Sequence, residues 1–387
     1  MKNFILFFVF VGSLYSTSQF ETSNTCKGCH PTIYGEFYES SHRKSSIFND
    51  DVHKAIWDKH PNKAKNRYTC NECHTPSDTR ITDALKNEQN AMPQNDVVQQ
   101  QEAISCVYCH SIKNIESHAK THDKNLLNDQ PKMIYSANKN NRDGKIIFKE
   151  EKSFFGMVKK TSGSPFHDID YSNKNFYTGK MCMGCHAHFE NTHGQNVCTV
   201  DETGASNEEK NCITCHMPKV KGSATTIKIT KEHTFHGFAG TRNKHKMLAK
   251  YLKLGFQKTN SGFNITIKNL ATHKLLLHPL RLGKLNVKVN DGAQTIQEKS
   301  IPFFRILGHD GKPTLPWLAT EVFKDTMLKA GEFRTIKYNT VVKTGDTVEL
   351  EFGYYLVNPK MIKKLNLQNS EEANKFFVLK TAVFTVK

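Results

Sequence analysis

Cys26-Lys27-Gly28-Cys29-His30 is the first of five copies of one short pattern, in which two cysteines three residues apart are followed directly by a histidine. Ten of the eleven cysteines in the 387-residue chain fall into these copies. One copy would already be suggestive, and five indicate that the cysteines share one chemical purpose. The other copies are Cys70-Asn71-Glu72-Cys73-His74, Cys106-Val107-Tyr108-Cys109-His110, Cys182-Met183-Gly184-Cys185-His186 and Cys212-Ile213-Thr214-Cys215-His216.

The pattern Cys-x-x-Cys-His is the attachment signature of c-type haem. Two thiols separated by two residues can add to both vinyl groups of one porphyrin from a single turn of chain. The histidine that follows then lies beneath the iron and becomes its proximal ligand. We therefore predict five covalently attached haem c groups, with their irons bound by His30, His74, His110, His186 and His216.

Other uses of paired cysteines fit this spacing poorly. A thioredoxin-like pair would occur once and needs no following histidine. A zinc ribbon needs paired units about 15–20 residues apart, whereas these motifs begin at least 30 residues apart. Cys198 is the odd cysteine, and we favour a free thiol there over an intermolecular disulfide or a ligand near a haem.

The second axial ligands are harder to assign, because nineteen histidines are present and only five belong to the motifs. Methionine is a competing ligand that raises the potential, and Met217 directly follows a motif, but we favour histidine. Our candidates, in falling order, are His42, His118, His167, His193 and His233. The reserves are His53, His60, His122, His188 and His236, while His273, His278 and His309 are expected to be ordinary histidines of the C-terminal region.

The amino terminus has the features of a secretory signal. Lys2 precedes an apolar run from Phe4 to Leu14, and small residues at 16–18 predict cleavage before Gln19. The run is short for a membrane span, although an uncleaved anchor is the alternative. We predict a signal peptide at 1–18, a periplasmic mature protein and at most peripheral membrane association.

The formal net charge of +17 favours acidic partners or a negative membrane surface. An exported basic protein is not expected to bind nucleic acid. The propionates of five haems would also offset part of this charge, so the sequence overstates it.

The chain divides into two regions of different character. Residues 19–245 hold all five motifs and are predicted to form a pentahaem domain of short helices and loops around the haems, with candidate helices at 32–40 and 97–105. Within it, residues 124–165 form a motif-free insert. There Asn141-Arg142-Asp143-Gly144 lies between two apolar runs, 133–135 and 146–148, which predicts a hairpin.

Residues 250–387 contain no cysteine and show the alternation of apolar and polar residues that is typical of strands. The alternating segments lie at 263–267, 285–289 and 348–352, and a last strand is predicted at 378–386. Several short strands separated by turn residues favour an all-β antiparallel sandwich. The predicted fold class is therefore a multihaem cytochrome c joined to a β-sandwich accessory domain.

Residues 24–190 resemble the tetrahaem cytochrome c that accepts electrons from hydroxylamine oxidoreductase in nitrification. The resemblance rests on the first four motifs and on Tyr34, Phe37, Ser41 and His42. It implies that His42 is the distal ligand of the third haem and that the second haem, on His74, lacks a strong distal ligand. It also implies that His118 or His122 serves the first haem.

The fifth motif continues as Met217-Pro218 and has no counterpart in that tetrahaem family. It is similar to the Cys-His-Met-Pro motif of larger multihaem cytochromes. In those proteins a histidine farther along the chain often ligates a haem, which here implies His233 or His236. The C-terminal region also resembles the sandwich attached to such cytochromes.

Two functions follow from these features. We favour an electron carrier that works between a redox donor and a redox acceptor, one of which could be a quinol-linked membrane cytochrome. Hexacoordinate iron has no position for a substrate. The alternative is a reductase or oxidase of a small nitrogen or sulfur compound at a five-coordinate haem, for which the haem on His74 is the candidate.

Overall fold

A computed structural model describes residues 20–117, 124–130, 132–153, 158–186, 189–198, 200 and 206–387 of the chain. The predicted signal peptide lies outside the described residues, and so do His118, His122 and His188. Cys198 ends a strand, but its side chain is likewise outside the description.

The motifs form single helical turns. In the first two, the backbone N–H of the histidine donates to the carbonyl oxygen of the first cysteine, from His30 to Cys26 and from His74 to Cys70, at 2.9 Å each. Positions i, i+3 and i+4 of a helix share one face. Each motif therefore presents its two sulfurs and its imidazole on one side, as attachment to one flat group requires.

Short helices make up most of the regular structure around the motifs. The two helices predicted from sequence are formed, with slightly different bounds, as the first and fifth of the set. The helices are α1 (Pro31–Tyr38), α2 (Asp51–Trp57), α3 (Asn71–His74), α4 (Thr79–Lys86), α5 (Val98–Glu102), α6 (Cys106–His110), α7 (Asn175–Thr178), α8 (Met183–His186) and α9 (Cys212–His216), with 3-10 helices at Ser23–Gly28, Pro61–Lys65, Lys180–Cys182 and His245–Tyr251.

Small strand pairs connect these helices. They form the antiparallel pairs β1–β2, β5–β6, β8–β9 and β10–β11, and a three-stranded sheet in the order β3-β7-β4. The strands are β1 (Ile112–Glu116), β2 (Lys124–Leu127), β3 (Met133–Tyr135), β4 (Lys145–Ile146), β5 (Lys149–Ser153), β6 (Val158–Ser162), β7 (Asp168–Asp170), β8 (Phe189–Glu190), β9 (Asn196–Cys198), β10 (Lys219–Lys221) and β11 (Glu232–Thr234).

The hairpin predicted across Asp143-Gly144 differs from the structure. Strands β3 and β4 flank this turn as expected, but they do not pair with each other, because β7 lies between them, parallel to β3 and antiparallel to β4. The hairpin of this insert is β5–β6, which pairs Lys149 with Ser162. A local turn signal could not reveal the later strand that separates the two runs.

The C-terminal region, described without a gap, is built of two antiparallel sheets. The smaller has the order β12-β13-β19, and the larger the order β17-β16-β14-β20-β21, with β15 on β14 and β18 on β16. The elements are β12 (Leu252–Thr259), β13 (Gly262–Asn269), β14 (Leu282–Asn290), β15 (Thr295–Gln297), β16 (Ile301–His309), β17 (Lys312–Pro313), β18 (Glu321–Asp325), β19 (Phe333–Tyr338), β20 (Thr347–Tyr355) and β21 (Phe376–Thr385), with a 3-10 helix at Pro316–Leu318 and helices α10 (Pro359–Ile362) and α11 (Glu371–Asn374).

One hydrophobic core joins the two sheets. Alternate residues of β13 in the smaller sheet and of β14 and β20 in the larger sheet point into the same cluster, as the sequence alternation predicted. Its fully buried members include Phe263, Ile265, Leu285, Val287 and Phe352. We call this C-terminal unit the β domain.

The β domain packs against the motif-bearing region through a mixed interface. Helix α2 contributes Ala55 to a hydrophobic cluster whose other buried members come from the β domain, among them Val357 and Leu365. Beside it, Arg242 binds the carboxylates of Asp50 at 2.8 Å and Glu372 at 3.1 Å. Among the helices within the described ranges, none is both long and apolar enough to cross a membrane.

Candidate haem-binding site

The motif histidines are oriented by backbone carbonyls. The Nδ1 atoms of His30, His110 and His216 donate to the carbonyl oxygens of Ala224, Tyr135 and Ala239 at 2.8, 2.7 and 2.5 Å. His74 makes the same kind of contact with Ser45 at 3.2 Å. A hydrogen bond at Nδ1 places the proton there and leaves the lone pair on Nε2, the arrangement that metal-bound histidines use.

Four motif histidines each face one second imidazole. The ring centroids lie 6.3 Å apart for His30 and His167 and for His110 and His236, and 6.1 Å apart for His216 and His273. The planes of these pairs are inclined by only 28°, 20° and 18°. The fourth pair, His42 and His186, has centroids 5.8 Å apart and its Nε2 atoms 3.5 Å apart.

These separations suit a metal held between two imidazoles. A metal–imidazole bond is about 2.0–2.1 Å long, so two imidazoles on opposite sides of one metal have ring centres about 6 Å apart. No three His, Cys, Asp or Glu side chains converge on a metal position in the described ranges. Two opposed histidines fit a metal whose other four positions are filled by a porphyrin. The residues present therefore fit haem.

His74 is the exception. The nearest imidazole ring to it is that of His53, with centroids only 3.9 Å apart, which is too close for a metal between the rings. Both Nδ1 atoms share the carbonyl of Ser45, and Nε2 of His53 contacts the hydroxyl of Tyr68 at 3.3 Å. His53 therefore lies beside His74 rather than opposite it.

The partner of His42 differs from the one implied by the resemblance. The tetrahaem family implied a position opposite the third motif, but His42 faces His186 of the fourth motif. Burial and then the neighbouring His186, His216 and His74 lower the pKa of His42, so it lies near the fourth, fifth and second motifs. The turn that follows α1 carries His42 away from the third motif, where His236 takes the opposing place.

Two sequence candidates lie away from the motif histidines. His193 is exposed in the turn between β8 and β9. His233 is buried, but its Nδ1 donates to the carbonyl of Gly222 at 2.9 Å and its Nε2 contacts the carboxylate of Glu36 at 3.0 Å. The same carboxylate accepts the backbone N–H of His236 at 2.8 Å. His233 thus anchors the segment that presents His236.

Two of the facing histidines are not among the first five candidates from the sequence. His236 was a reserve, although it follows the Cys-His-Met-Pro motif in the way the larger cytochromes suggest. His273 was expected to be an ordinary histidine, because it lies in the β domain. It faces the fifth motif since the segment between β13 and β14 reaches toward that motif, and a local pattern does not encode this approach.

Desolvation keeps these imidazoles neutral. It lowers the pKa of His42 to about 3 and that of His186 and His236 to about 4, and neighbouring imidazoles add to each effect. Burial likewise lowers the pKa of His273. A neutral imidazole is the form that binds a metal.

The motif sulfurs connect the five motifs to one another. Three pairs of motif cysteines have neighbouring side chains, namely Cys26 and Cys106, Cys73 and Cys185, and Cys182 and Cys212. The side-chain amide of Asn125 donates to the hydroxyl of Tyr108 at 2.9 Å and to the Cys185 sulfur at 3.5 Å, which bridges the third and fourth motifs. None of the ten motif cysteines forms a disulfide within the described residues. The fourth motif therefore contacts the second, third and fifth, and the first joins through the third.

Comparison with known proteins identifies one fold. No protein-family model matches the sequence, and no curated protein is significantly similar to it. The chain is similar to the crystal structure of a penta-heme cytochrome c552 from Thermochromatium tepidum, with a TM-score of 0.70 and 21% identity over 95% of this chain and 99% of that one. The two proteins share their fold across both regions.

Proposed function

We propose that this chain is an exported c-type cytochrome that binds five haems covalently and carries electrons between redox partners. The observation that carries the proposal is the set of opposed imidazoles, since four of the five motif histidines face a second histidine at a separation that fits one metal. The shared fold with a penta-heme cytochrome supports the same conclusion.

Under this proposal the chain has three tasks. Bound haem iron supplies reversible one-electron chemistry. The cysteines hold each group in place, and the carbonyls at Nδ1 fix the tautomer and orientation of the imidazoles. The paired imidazoles leave no position for a substrate, which suits electron transfer rather than catalysis at those four motifs.

The contacts between motifs support transfer over the whole cluster. Each sulfur would hold the vinyl side of a porphyrin, so neighbouring sulfurs would bring the groups that they hold close together. The contacts Cys26–Cys106, Cys73–Cys185 and Cys182–Cys212 leave no motif isolated from the others. The motif cysteines would therefore hold the proposed haems in one connected group, in which the first motif joins the second and the fifth through the third and fourth.

A second function is favoured at one position only. His53 lies beside His74 and not opposite it, so the described residues give His74 no ring pair with the spacing of the other four, although the buried His278 lies near enough for His74 to help lower its pKa. A five-coordinate haem can bind a small molecule in its open position. The alternative function is therefore reduction or oxidation of a small nitrogen or sulfur compound at His74.

The surroundings of the protein are part of the proposal. The amino-terminal signal features and the absence of a membrane-spanning helix in the described residues agree with a periplasmic location. The net charge of +17 favours redox partners with acidic surfaces, and a quinol-linked membrane cytochrome is one candidate.

Carbon monoxide separates the two functions. Dithionite-reduced mature protein is titrated with carbon monoxide while the Soret band is recorded. A purely electron-carrying protein shows no spectral change, because every iron is six-coordinate. A response from one of five haems, accompanied by a high-spin ferric signal, supports the reaction at His74. A matured protein without haem absorbance would contradict both functions.

A further inference from the structure

We propose that the β domain supplies an axial ligand to the motif-bearing region: His273 is the second imidazole ligand of the haem attached at Cys212 and Cys215. The inference rests on the proposed function in one respect, since it requires that a haem is attached there. It gives the β domain a role in metal binding beyond that of an accessory unit.

The geometry of this pair matches that of the pairs formed within the motif-bearing region. The centroids of His216 and His273 lie 6.1 Å apart with planes inclined by 18°, against 6.3 Å and 20° for His110 and His236. The Nδ1 atom of His273 donates to the carbonyl of Lys274 at 2.8 Å. Both members of the pair thus keep Nε2 available, as two ligands of one metal require.

Asn269 positions the turn that carries His273. This asparagine ends β13 and is fully buried, yet its amide is satisfied. Its Nδ2 donates to the carbonyls of His273 at 2.8 Å and Lys329 at 2.9 Å, and its Oδ1 accepts from the N–H of Ala271 at 2.9 Å. A buried amide with several partners fixes one conformation of the turn, because each lost partner would cost free energy.

The same turn is tied to the fifth motif. The ammonium group of Lys210, two residues before Cys212, donates to the carbonyl of Leu270. The N–H of Leu270 donates to the carbonyl of Tyr251 at 2.7 Å, and the Tyr251 side chain lies beside Cys215. The attachment cysteines and the turn bearing His273 are therefore held in one network, which keeps the two imidazoles opposed.

His309 shows what an ordinary histidine of the same domain looks like. It is exposed, and its Nε2 atom lies 3.3 Å from the carboxylate of Asp310. Its Nδ1 atom shares a hydrogen bond of 3.1 Å with the hydroxyl of Thr320. No ring contact with a motif histidine is recorded for it within the fully described β domain. It serves as a matched control for substitution of His273.

The test replaces His273 by glycine in the full-length, matured protein and compares it with the H309G control. We expect H273G to keep five haems by intact mass while one additional haem equivalent becomes high-spin and binds carbon monoxide. Imidazole added to the solution should restore the low-spin signal. H309G should match the wild type. An H273G protein with five haems and an unchanged spin state would overturn the proposal.

Two further variants keep the test decisive. Should H273G fail to mature, H273M carries the test: we expect one haem with a raised potential, as a methionine ligand produces, and an unchanged set of five potentials would refute the ligand role. N269A retains His273 but loosens its turn, so a high-spin fraction at one haem is expected, and none would refute the positioning role. A protein without haem would instead refute the proposed function.

Discussion

The two regions of this molecule differ in what fills their interiors. In the β domain one cluster gathers side chains from both sheets, including Phe263, Leu285 and Leu350, which are almost fully buried. In residues 20–245 the described hydrophobic side chains form small separate groups, such as the one around Trp57 and Tyr68. Motif cysteines pack against those groups, among them Cys70, Cys109 and Cys212. The comparison teaches that a side-chain core stabilises the β domain, whereas the motif-bearing region has no comparable core among its described residues and would need the proposed haems to supply one.

The largest expected effect is on the motif-bearing region alone. Replacing all ten motif cysteines by serine in the full chain should abolish attachment and leave residues 20–245 without an adequate core. Hydrogen exchange followed by mass spectrometry should then show lost protection there, with the strands of the β domain still protected. Equal protection of both regions in this variant would break the comparison.

A smaller effect is expected from the core of the β domain. Phe263 is fully buried and its ring lies 5.1 Å from that of Tyr338, so Phe263→Ala should destabilise the β domain by about 3–5 kcal/mol. Phe333, on the adjacent strand β19, is 60% exposed and provides the control.

Denaturant unfolding followed by far-ultraviolet circular dichroism would measure the free energy of unfolding of both variants. Phe333→Ala should change stability by less than about 0.5 kcal/mol. The haem spectrum of native Phe263→Ala protein should stay that of the wild type. Equal losses in the two variants would show that this cluster is not the stabilising core.

The smallest effect concerns the contact between the regions. Arg242 binds Asp50 of one region and Glu372 of the other, and Arg242→Met removes these charge-assisted bonds at a cost of roughly 1–3 kcal/mol. The variant should lower the unfolding midpoint and increase hydrogen exchange in α2 and α11. Lys54→Met, which breaks only the exposed pair with Asp58, is the control. Unchanged exchange in both helices would contradict the proposed contact.

The local parts of this molecule could be predicted from its sequence. Five motifs follow from spacing alone, and the alternation at 263–267, 285–289 and 348–352 predicted strands that are formed. Each of these signals is contained in fewer than ten neighbouring residues. Periodicity and motif chemistry therefore sufficed where one short segment decides the outcome.

The histidines that face the motif histidines could be identified only from the tertiary structure. The sequence candidates His42 and His167 do face motif histidines, but the partner of His42 is the fourth motif and not the third. The N–H of His236, which faces the third motif, is held by Glu36 from far earlier in the chain. His273 faces the fifth motif on a turn held by Asn269, whose amide also bonds the distant carbonyl of Lys329. The hairpin expected at 133–148 failed for a related reason, since β7 enters from later in the chain.

Intact mass of the purified, matured protein tests the central claim most directly. Residues 19–387 should carry the added mass of five haems, each bound through two thioether bonds that survive acid denaturation. The denatured protein should therefore remain coloured. A colourless polypeptide whose mass equals that of the processed chain alone would contradict the account.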